Sequence, residues 1–312
     1  MNNILISVII PVYNAEKTIR KCIESILSID YDRYEIIIIN DGSIDKTSEI
    51  LSEFSSKLKL INVEHGGPSV CRNIAVKQSG GDFVAFTDSD CIVDKSWLKE
   101  LLRGFIDDRV IAVGGIQNSP EDSNLLGESI QSFIDLTGLL TDYGRKEKEL
   151  KVVSHNPSCN VMYRKLAFED ERGFLESFWP AEDVEFDLRL KKLGYKFVSN
   201  PRAKVSHYRP DTLSGFARMM YRYGRNNGML CRKYGFFRPL YIAAFVFPLI
   251  CIFFISSQIG LKFLLIAFFL FLSYCLFRFK DLIRAFFVLE LSVITMCLWN
   301  LGFYRGLLKS IK

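Results

Sequence analysis

The sequence predicts an α/β fold on a mostly parallel sheet, followed by an all-helical apolar segment. Three observations carry that reading. Short β-branched runs alternate with stretches of helical period through the first 87 residues. A polar loop follows three of those runs. The charge is also divided: residues 1–211 hold 27 Lys and Arg against 33 Asp and Glu, and residues 212–312 hold 13 against 2. The formal charge of +5 is therefore the balance of an acidic front (−6) and a basic, Phe-rich back (+11). That partition is expected of a soluble domain on a membrane anchor. A nucleic-acid binder would carry its charge on the folded domain, so no nucleic-acid partner is expected. A length of 312 residues also excludes a disordered tail or a disulfide mini-scaffold.

Residues 4–10 (Ile-Leu-Ile-Ser-Val-Ile-Ile) suit a strand buried on both faces. The run lacks a basic leader and stops at Pro11, so it is not read as a signal peptide. Ala15 to Leu27 places Ile19, Cys22, Ile23, Ile26 and Leu27 at helical spacing. A second strand, Ile36 to Ile39, ends at Asn40-Asp41-Gly42-Ser43, and Asp45-Lys46-Thr47-Ser48 opens the next helix. A weaker strand over 58–63, a helix over 69–78 and a strand over 83–87 complete β-α-β-α-β-α-β, the pattern of a parallel sheet with right-handed crossovers. Farther on, strands are expected at 111–114 and 196–199 among amphipathic helices. The eight cysteines show no CxxC and no zinc spacing with the three histidines, and are read as reduced in a cytosol-facing protein.

Ligands of such sheets bind beyond the carboxyl ends of the strands. Pro11-Val12-Tyr13-Asn14, Asp41-Gly42-Ser43 and Asp88-Ser89-Asp90 all fall there. No GxGxxG or GxxxxGK[ST] loop is present, which argues against a dinucleotide enzyme or a P-loop NTPase. Asp88-x-Asp90 reads as a turn-forming pair or as a carboxylate pair sharing Mg²⁺ or Mn²⁺, and its place beside Asp41 favours the cation. Glu182-Asp183-Val184-Glu185 opens a helix. Its acids either complement the helix dipole or include a general base. His207 is a candidate metal ligand or a surface-loop histidine, and His65 and His155 have no comparable context.

The ordered set Ser7-Val-Ile-Ile-Pro-Val-Tyr-Asn14, Asn40-Asp-Gly-Ser-Ile-Asp45, Arg72-Asn73, Asp88-Ser-Asp90 and Glu182-Asp183 resembles the family 2 glycosyltransferases of GT-A fold over about residues 4–210. The resemblance implies a donor that is a nucleotide-diphosphate sugar, bound by Pro11, Val12, Tyr13, Asp41, Gly42, Arg72, Asp88 and Ser89. Within that set the Pro11–Tyr13 loop and Asp41 hold the base, Arg72 approaches the diphosphate and Asp88 meets the ribose region. It implies a divalent cation at Asp90, with Asp88, and His207 completing the metal or diphosphate site. It also implies catalysis by the Glu182-Asp183 pair, with Asp183 as general base in an inverting displacement, and an acceptor side near Ser158-Cys159-Asn160. The Gln-x-x-Arg-Trp motif of processive synthases is missing, with Arg222-Tyr-Gly-Arg225 the nearest feature, which points to transfer of single sugars. Cys71 stands where the family more often has Ala.

Three apolar stretches follow Arg238, at about 240–259, 261–277 and 282–303; roughly 20 residues cross a bilayer core. The third carries Arg284, Glu290 and Asn300. Basic residues flank the first pair on the outside, at Arg232, Lys233 and Arg238 and at Arg278, Lys280 and Arg284, so the pair reads as a hairpin with cytoplasmic ends. Length favours three spans. Charge at Arg305, Lys309 and Lys312 favours two spans and an interfacial third helix. Before them, Arg218, Arg222, Arg225, Arg232 and Lys233 interleave with Phe216, Met219, Met220, Tyr221 and Tyr223, which suits a helix lying among lipid headgroups, with a solvated linker helix as the alternative. The expected organisation is a catalytic domain at 1–211, an interfacial helix at 212–237 and a transmembrane region of two to three helices at 238–312. The enzyme is expected at the cell membrane, multi-pass, with its catalytic domain on the cytoplasmic side and a lipid-linked sugar or glycan as acceptor. A polyprenyl-phosphate sugar synthase and a catalytically silent membrane scaffold are the competing readings.

Overall fold

The computed structural model describes residues 4–138, 149–170, 173–256 and 258–309. Lys312, invoked above for the charge rule, and the Cys251 side chain lie outside the described residues. The chain forms two compact units, Met1–Asp122 with Thr137–Tyr208, and Ser123–Leu136 with Arg209–Lys312.

In the first unit β1 (Ile6–Val12), α1 (Ile19–Leu27), β2 (Tyr34–Asp41), α2 (Thr47–Ser52), β3 (Lys59–Val63), α3 (Pro68–Lys77) and β4 (Phe83–Thr87) alternate as the hydrophobic pattern predicts. Then come β5 (Cys91–Val93), α4 (Trp97–Arg103), β6 (Val110–Asn118), α5 (Leu125–Thr137), β7 (Lys151–Val153), β8 (Asn160–Arg164), α6 (Ala167–Asp170), α7 (Glu182–Lys192) and β9 (Lys196–His207). The strand order is β3-β2-β1-β4-β8-β6-β9-β5, with β7 paired to β9. β1, β2, β3 and β4 are parallel, and β8 runs antiparallel to both β4 and β6.

Alternation along the strands explains why both faces are apolar. Ile6, Val8, Ile10 and Val12 of β1 join Ile36 and Ile38 of β2 on one face, under Cys22, Ile23 and Ile26 of α1 and Trp97 and Leu101 of α4. Ile9, Ile37 and Ile39 face the other way, onto Cys71 and Ala75 of α3 and an aromatic group of Phe86, Tyr163, Phe174 and Phe186. Each fully buried Ile or Phe contributes about 1.5–3 kcal/mol.

β9 is longer than the four-residue strand the sequence suggests, because Pro201 does not end it. The register steps from Gly115↔Asn200 to Ile116↔Lys204, so residues 201–203 bulge out and pairing resumes. Gly115 makes room for the bulge: a Cβ there would sit 1.8 Å from the Ala203 carbonyl oxygen, which also accepts from Asn160 Nδ2 at 3.1 Å. β5 and β8 are short, and their antiparallel pairing depends on partners distant in sequence, so local pattern did not reveal them.

The second unit holds α5 together with α8 (Leu213–Tyr234), α9 (Pro239–Ser256), α10 (Gln258–Phe279) and α11 (Leu282–Leu308). Thr212 caps α8 by accepting from Gly215 N at 3.1 Å, and Asp281 caps α11 by accepting from Ile283 N and Arg284 N. α8 and α11 pack backbone against backbone through two matched Gly-xxx-Gly pairs, Gly224/Gly228 and Gly302/Gly306. A Cβ on Gly224 would lie 1.9 Å from Trp299 O, and one on Gly306 1.8 Å from Arg225 O. Phe216 and Met220, two of the apolar residues assigned to headgroups by composition, are buried, whereas Arg218, Arg222, Arg232 and Lys233 are exposed. Gly306→Val is therefore expected to cost about 3 kcal/mol or more, the upper part of the overpacking range. Thermal unfolding of the purified chain measures it, and an unchanged melting temperature contradicts the close packing.

Among the described residues one helix, Leu282–Leu308, is long and apolar enough to cross a membrane, with Leu265–Phe279 a shorter apolar helix. This is the third apolar stretch, which length favoured as a span and the charge at Arg305, Lys309 and Lys312 favoured as an interfacial helix. Arg284 lies in its first turn, paired with Glu128, and Asn300 Nδ2 donates to Met296 O within the helix at 2.6 Å. Each is only partly satisfied, since Arg284 Nε and Asn300 Oδ1 are buried without a hydrogen-bond partner.

Candidate active site

The carboxyl ends of β1, β2 and β4 carry the three polar loops. The first two are fastened together: Asn14 Oδ1 accepts from Ile44 N at 2.9 Å, Ser43 Oγ accepts from Asn14 N at 3.0 Å, and Thr47 Oγ1 accepts from Ala15 N at 2.8 Å. Asn14 adopts φ 48° and Gly42 φ 68°, left-handed values that Asn and Gly tolerate best. Pro11 and Val12 are buried residues of β1, so Tyr13 is the member of that trio whose ring reaches the surface.

Asp41 is buried at the end of β2, and its carboxylate accepts from Gly66 N at 2.7 Å and Gly67 N at 3.0 Å. His65 Nδ1 lies 2.9 Å from Asp41 Oδ2, and its ring stacks on Tyr13 with centroids 4.2 Å apart. His65 had no distinguishing context in the sequence. Its partners are 24 and 52 positions away, and the adjoining Gly66-Gly67-Pro68 turn was the available signal.

Arg72, on α3, is 3% exposed and joins two loops: Nη2 donates to Asp88 Oδ1 at 2.7 Å and Nη1 to Glu182 Oε1 at 2.6 Å. Burial alone would discourage its charge, but Asp88 and Glu182 together hold the guanidinium protonated well beyond the ordinary range. Burial pushes the Glu182 carboxyl up, with Arg72 pulling it down and Asp183 adding to the push. Arg72 Nε and Glu182 Oε2 are buried polar atoms with no hydrogen-bond partner. Buried polar atoms are generally hydrogen-bonded, so each has capacity for one more polar contact.

Asp183, next along α7, accepts from Ser158 N at 3.0 Å and from its neighbour Val184 N at 2.7 Å. His155 Nε2 lies 3.9 Å from Asp183 Oδ2, and His155 Nδ1 is 3.0 Å from Asp187 Oδ2. Asp187 also accepts from Tyr163 OH at 2.7 Å, and burial raises its carboxyl while His155 and Tyr163 oppose the rise. A buried chain Tyr163, Asp187, His155, Asp183 therefore stands behind the Glu-Asp pair. No local pattern marks His155, because Asp187 is 32 positions away and on another element.

Asp88, Asp90 and His207 bring their ligand atoms within 4.8 Å of one another. Ser89 between them is half-buried. His207 reaches the loop because it pairs with Cys91 across β5 and β9. Its Nε2 is 3.2 Å from Asp90 Oδ1, and its Nδ1 is 3.2 Å from Gln117 Oε1. Two carboxylates and an imidazole nitrogen form a donor set that suits a divalent cation such as Mn²⁺ or Mg²⁺.

A mostly parallel sheet with acidic loops at its carboxyl edge places the fold among the GT-A glycosyltransferases. The mannosyltransferase PcManGT from Pyrobaculum calidifontis, in complex with GDP-Man and Mn²⁺, superimposes with a TM-score of 0.65 at 17% identity, over 94% of this chain and 87% of that one. S. aureus TarS 1–349 in complex with UDP-GlcNAc gives 0.55 at 17% identity, over 96% and 90%. At these identities the likeness is one of fold. Residues 7–172 match the model of Glycosyl transferase family 2, and the chain belongs to that family. It is 27% identical, over 97% of this chain and 97% of the relative, to the dolichyl N-acetyl-alpha-D-glucosaminyl phosphate 3-beta-D-2,3-diacetamido-2,3-dideoxy-beta-D-glucuronosyltransferase of Methanococcus voltae. The protein is a glycosyltransferase.

Proposed function

We propose that this enzyme moves a single sugar from a nucleotide-diphosphate donor to a lipid-linked sugar or glycan at a membrane, with inversion and with a divalent cation. The observation that carries the reading is Arg72, buried between Asp88 and Glu182. It ties the Asp88-Ser89-Asp90 loop to the first turn of α7, so that leaving group and base sit on one frame. Its unpartnered Nε and the unpartnered Glu182 Oε2 are what a substrate would satisfy.

In this reading Tyr13, stacked on His65, and Asp41 with Gly42 receive the base, and Ser89 and Asp88 line the ribose side. Asp88, Asp90 and His207 would hold Mn²⁺ or Mg²⁺, which when bound neutralises charge on the departing diphosphate. Arg72 adds a fixed positive charge on the same side. Asp183 takes the proton of the acceptor hydroxyl, whose oxygen bonds to the anomeric carbon as the sugar-phosphate bond breaks, its electron pair leaving with the nucleoside diphosphate. His155 and Ser158 N hold the Asp183 carboxylate in place.

Residues 1–211 are the catalytic domain in this proposal, 212–237 a basic helix at the headgroups through Arg218, Arg222, Arg232 and Lys233, and 238–312 the membrane region, with the catalytic domain on the cytoplasmic face. The dolichyl phosphate acceptor in the name of the Methanococcus voltae relative supports a lipid-linked acceptor here.

A thermal-shift screen of UDP-, GDP- and dTDP-sugars, with and without Mn²⁺, tests the donor side. One nucleotide is expected to stabilise the chain, and chiefly with metal. In Asp90→Ala the metal-dependent part should disappear, with donor affinity at least about tenfold weaker, or 1.4 kcal/mol. Stabilisation that ignores Mn²⁺ in both proteins argues against the cation.

A further inference from the structure

Cys91 and Cys159 had no metal spacing in the sequence, yet the sheet brings them together. Cys91 opens β5 opposite His207, and Cys159 lies in the turn closed by Asn160 N donating to Pro157 O, just before β8. Both thiols are buried, and the ligand atoms of Cys91, Cys159 and His207 lie within 4.8 Å of one another. Cys91 Sγ is also 3.9 Å from Asp90 Oδ1.

We propose that Cys91, Cys159 and His207 form a site for a thiophilic cation, Zn²⁺ in the first instance. Two sulfurs and one nitrogen are a soft donor set that Mn²⁺ and Mg²⁺ do not favour and Zn²⁺ does. Zinc-ligand distances of about 2.0–2.3 Å put tetrahedral ligand atoms roughly 3.5 Å apart, so closure from the present spacing needs shifts on the order of 1 Å. Asp90 or water completes the fourth position. Binding releases the two thiol protons to solvent.

The consequence lies in His207. With Gln117 Oε1 accepting from Nδ1, Nε2 supplies its one lone pair either to the thiols' ion or to the Asp88-Asp90 set, not to both. Zn²⁺ therefore competes with the donor-side cation, a consequence that rests on the reading of Asp88, Asp90 and His207 given above.

Cd²⁺ titration of the purified full chain, followed by the ultraviolet thiolate-to-metal charge-transfer band, tests the site without an activity assay. One equivalent should bind with a band that Cys91→Ser/Cys159→Ser removes and Cys159→Ala diminishes, and His207→Gln should weaken binding at least about tenfold. The absence of the band, or its persistence in the double variant, overturns the proposal. Zn²⁺ at one equivalent should weaken Mn²⁺-dependent donor binding at least about tenfold in the wild type, and less than about twofold in the double variant. Donor binding that ignores Zn²⁺ overturns the shared role of His207. A Cd²⁺ band in a protein that binds no donor with any metal supports the thiol site and counts against the cation reading of Asp88 and Asp90.

Discussion

Asp183→Asn is expected to bind the nucleotide sugar as the wild type does and to transfer it about 10²–10⁴-fold more slowly, the contribution of a positioned general base. The substitution keeps shape and removes basicity. It also has a structural cost, because both carboxylate oxygens accept backbone hydrogen bonds, from Ser158 N and Val184 N. The amide can accept only one, and its NH₂ then faces a donor, which costs about 1–3 kcal/mol of stability. The two effects separate by measurement. Donor titration and thermal unfolding report the fold, and kcat with a lipid-linked acceptor reports the chemistry. Turnover near the wild-type value in a folded Asp183→Asn removes Asp183 from the role of base.

The second large effect falls on Arg72. Arg72→Leu leaves Glu182 and Asp88 without the cation between them. Breaking a buried pair from one side costs about 3–5 kcal/mol, and Asp88, 28% exposed at its side chain, re-solvates more readily than Glu182 at 3%. The Glu182 carboxyl is already raised by burial, and without Arg72 it rises further. A carboxyl raised in the folded state binds its proton more tightly there than when unfolded. The penalty is therefore full above the raised folded value and shrinks as pH falls toward the ordinary value of about 4.3. Denaturant unfolding of Arg72→Leu should show a deficit that narrows on acidification. Arg72→Leu/Glu182→Gln should recover part of the stability while remaining inactive, because the charge beside the leaving group is gone. A pH-independent deficit, or recovered activity in the double variant, contradicts this account of the pair.

The sequence made the strand ends of the first unit legible because apolar runs stop abruptly at polar residues: Ile39 to Asn40-Asp41, and Thr87 to Asp88. Those stops are local and are dictated by burial, so loops carrying Asp41, Asp88 and Asp90 could be placed on one edge. What stayed hidden was fixed by distant partners. Pro201 reads as a strand end, yet Gly115 on β6 leaves room for a bulge that carries β9 on to His207. His155 has meaning through Asp183 and Asp187, and His65 through Tyr13 and Asp41. Cys91 and Cys159 are 68 positions apart and meet because β5 and β8 both enter the sheet antiparallel to their neighbours. The Gly224/Gly228 and Gly302/Gly306 spacings were readable in the sequence as close-packing helices, but the basic and aromatic residues around the first pair suggested lipid contact instead.

The most direct test offers the full chain labelled nucleotide sugars in membranes containing polyprenyl-linked sugars, with Mn²⁺ or with chelator, and follows label into the lipid fraction and its anomeric configuration by NMR. The expected result is transfer from one nucleotide class, lost with chelator and in Asp183→Asn, with the configuration inverted relative to the donor. Retention of configuration, or transfer at full rate with chelator present, would contradict it.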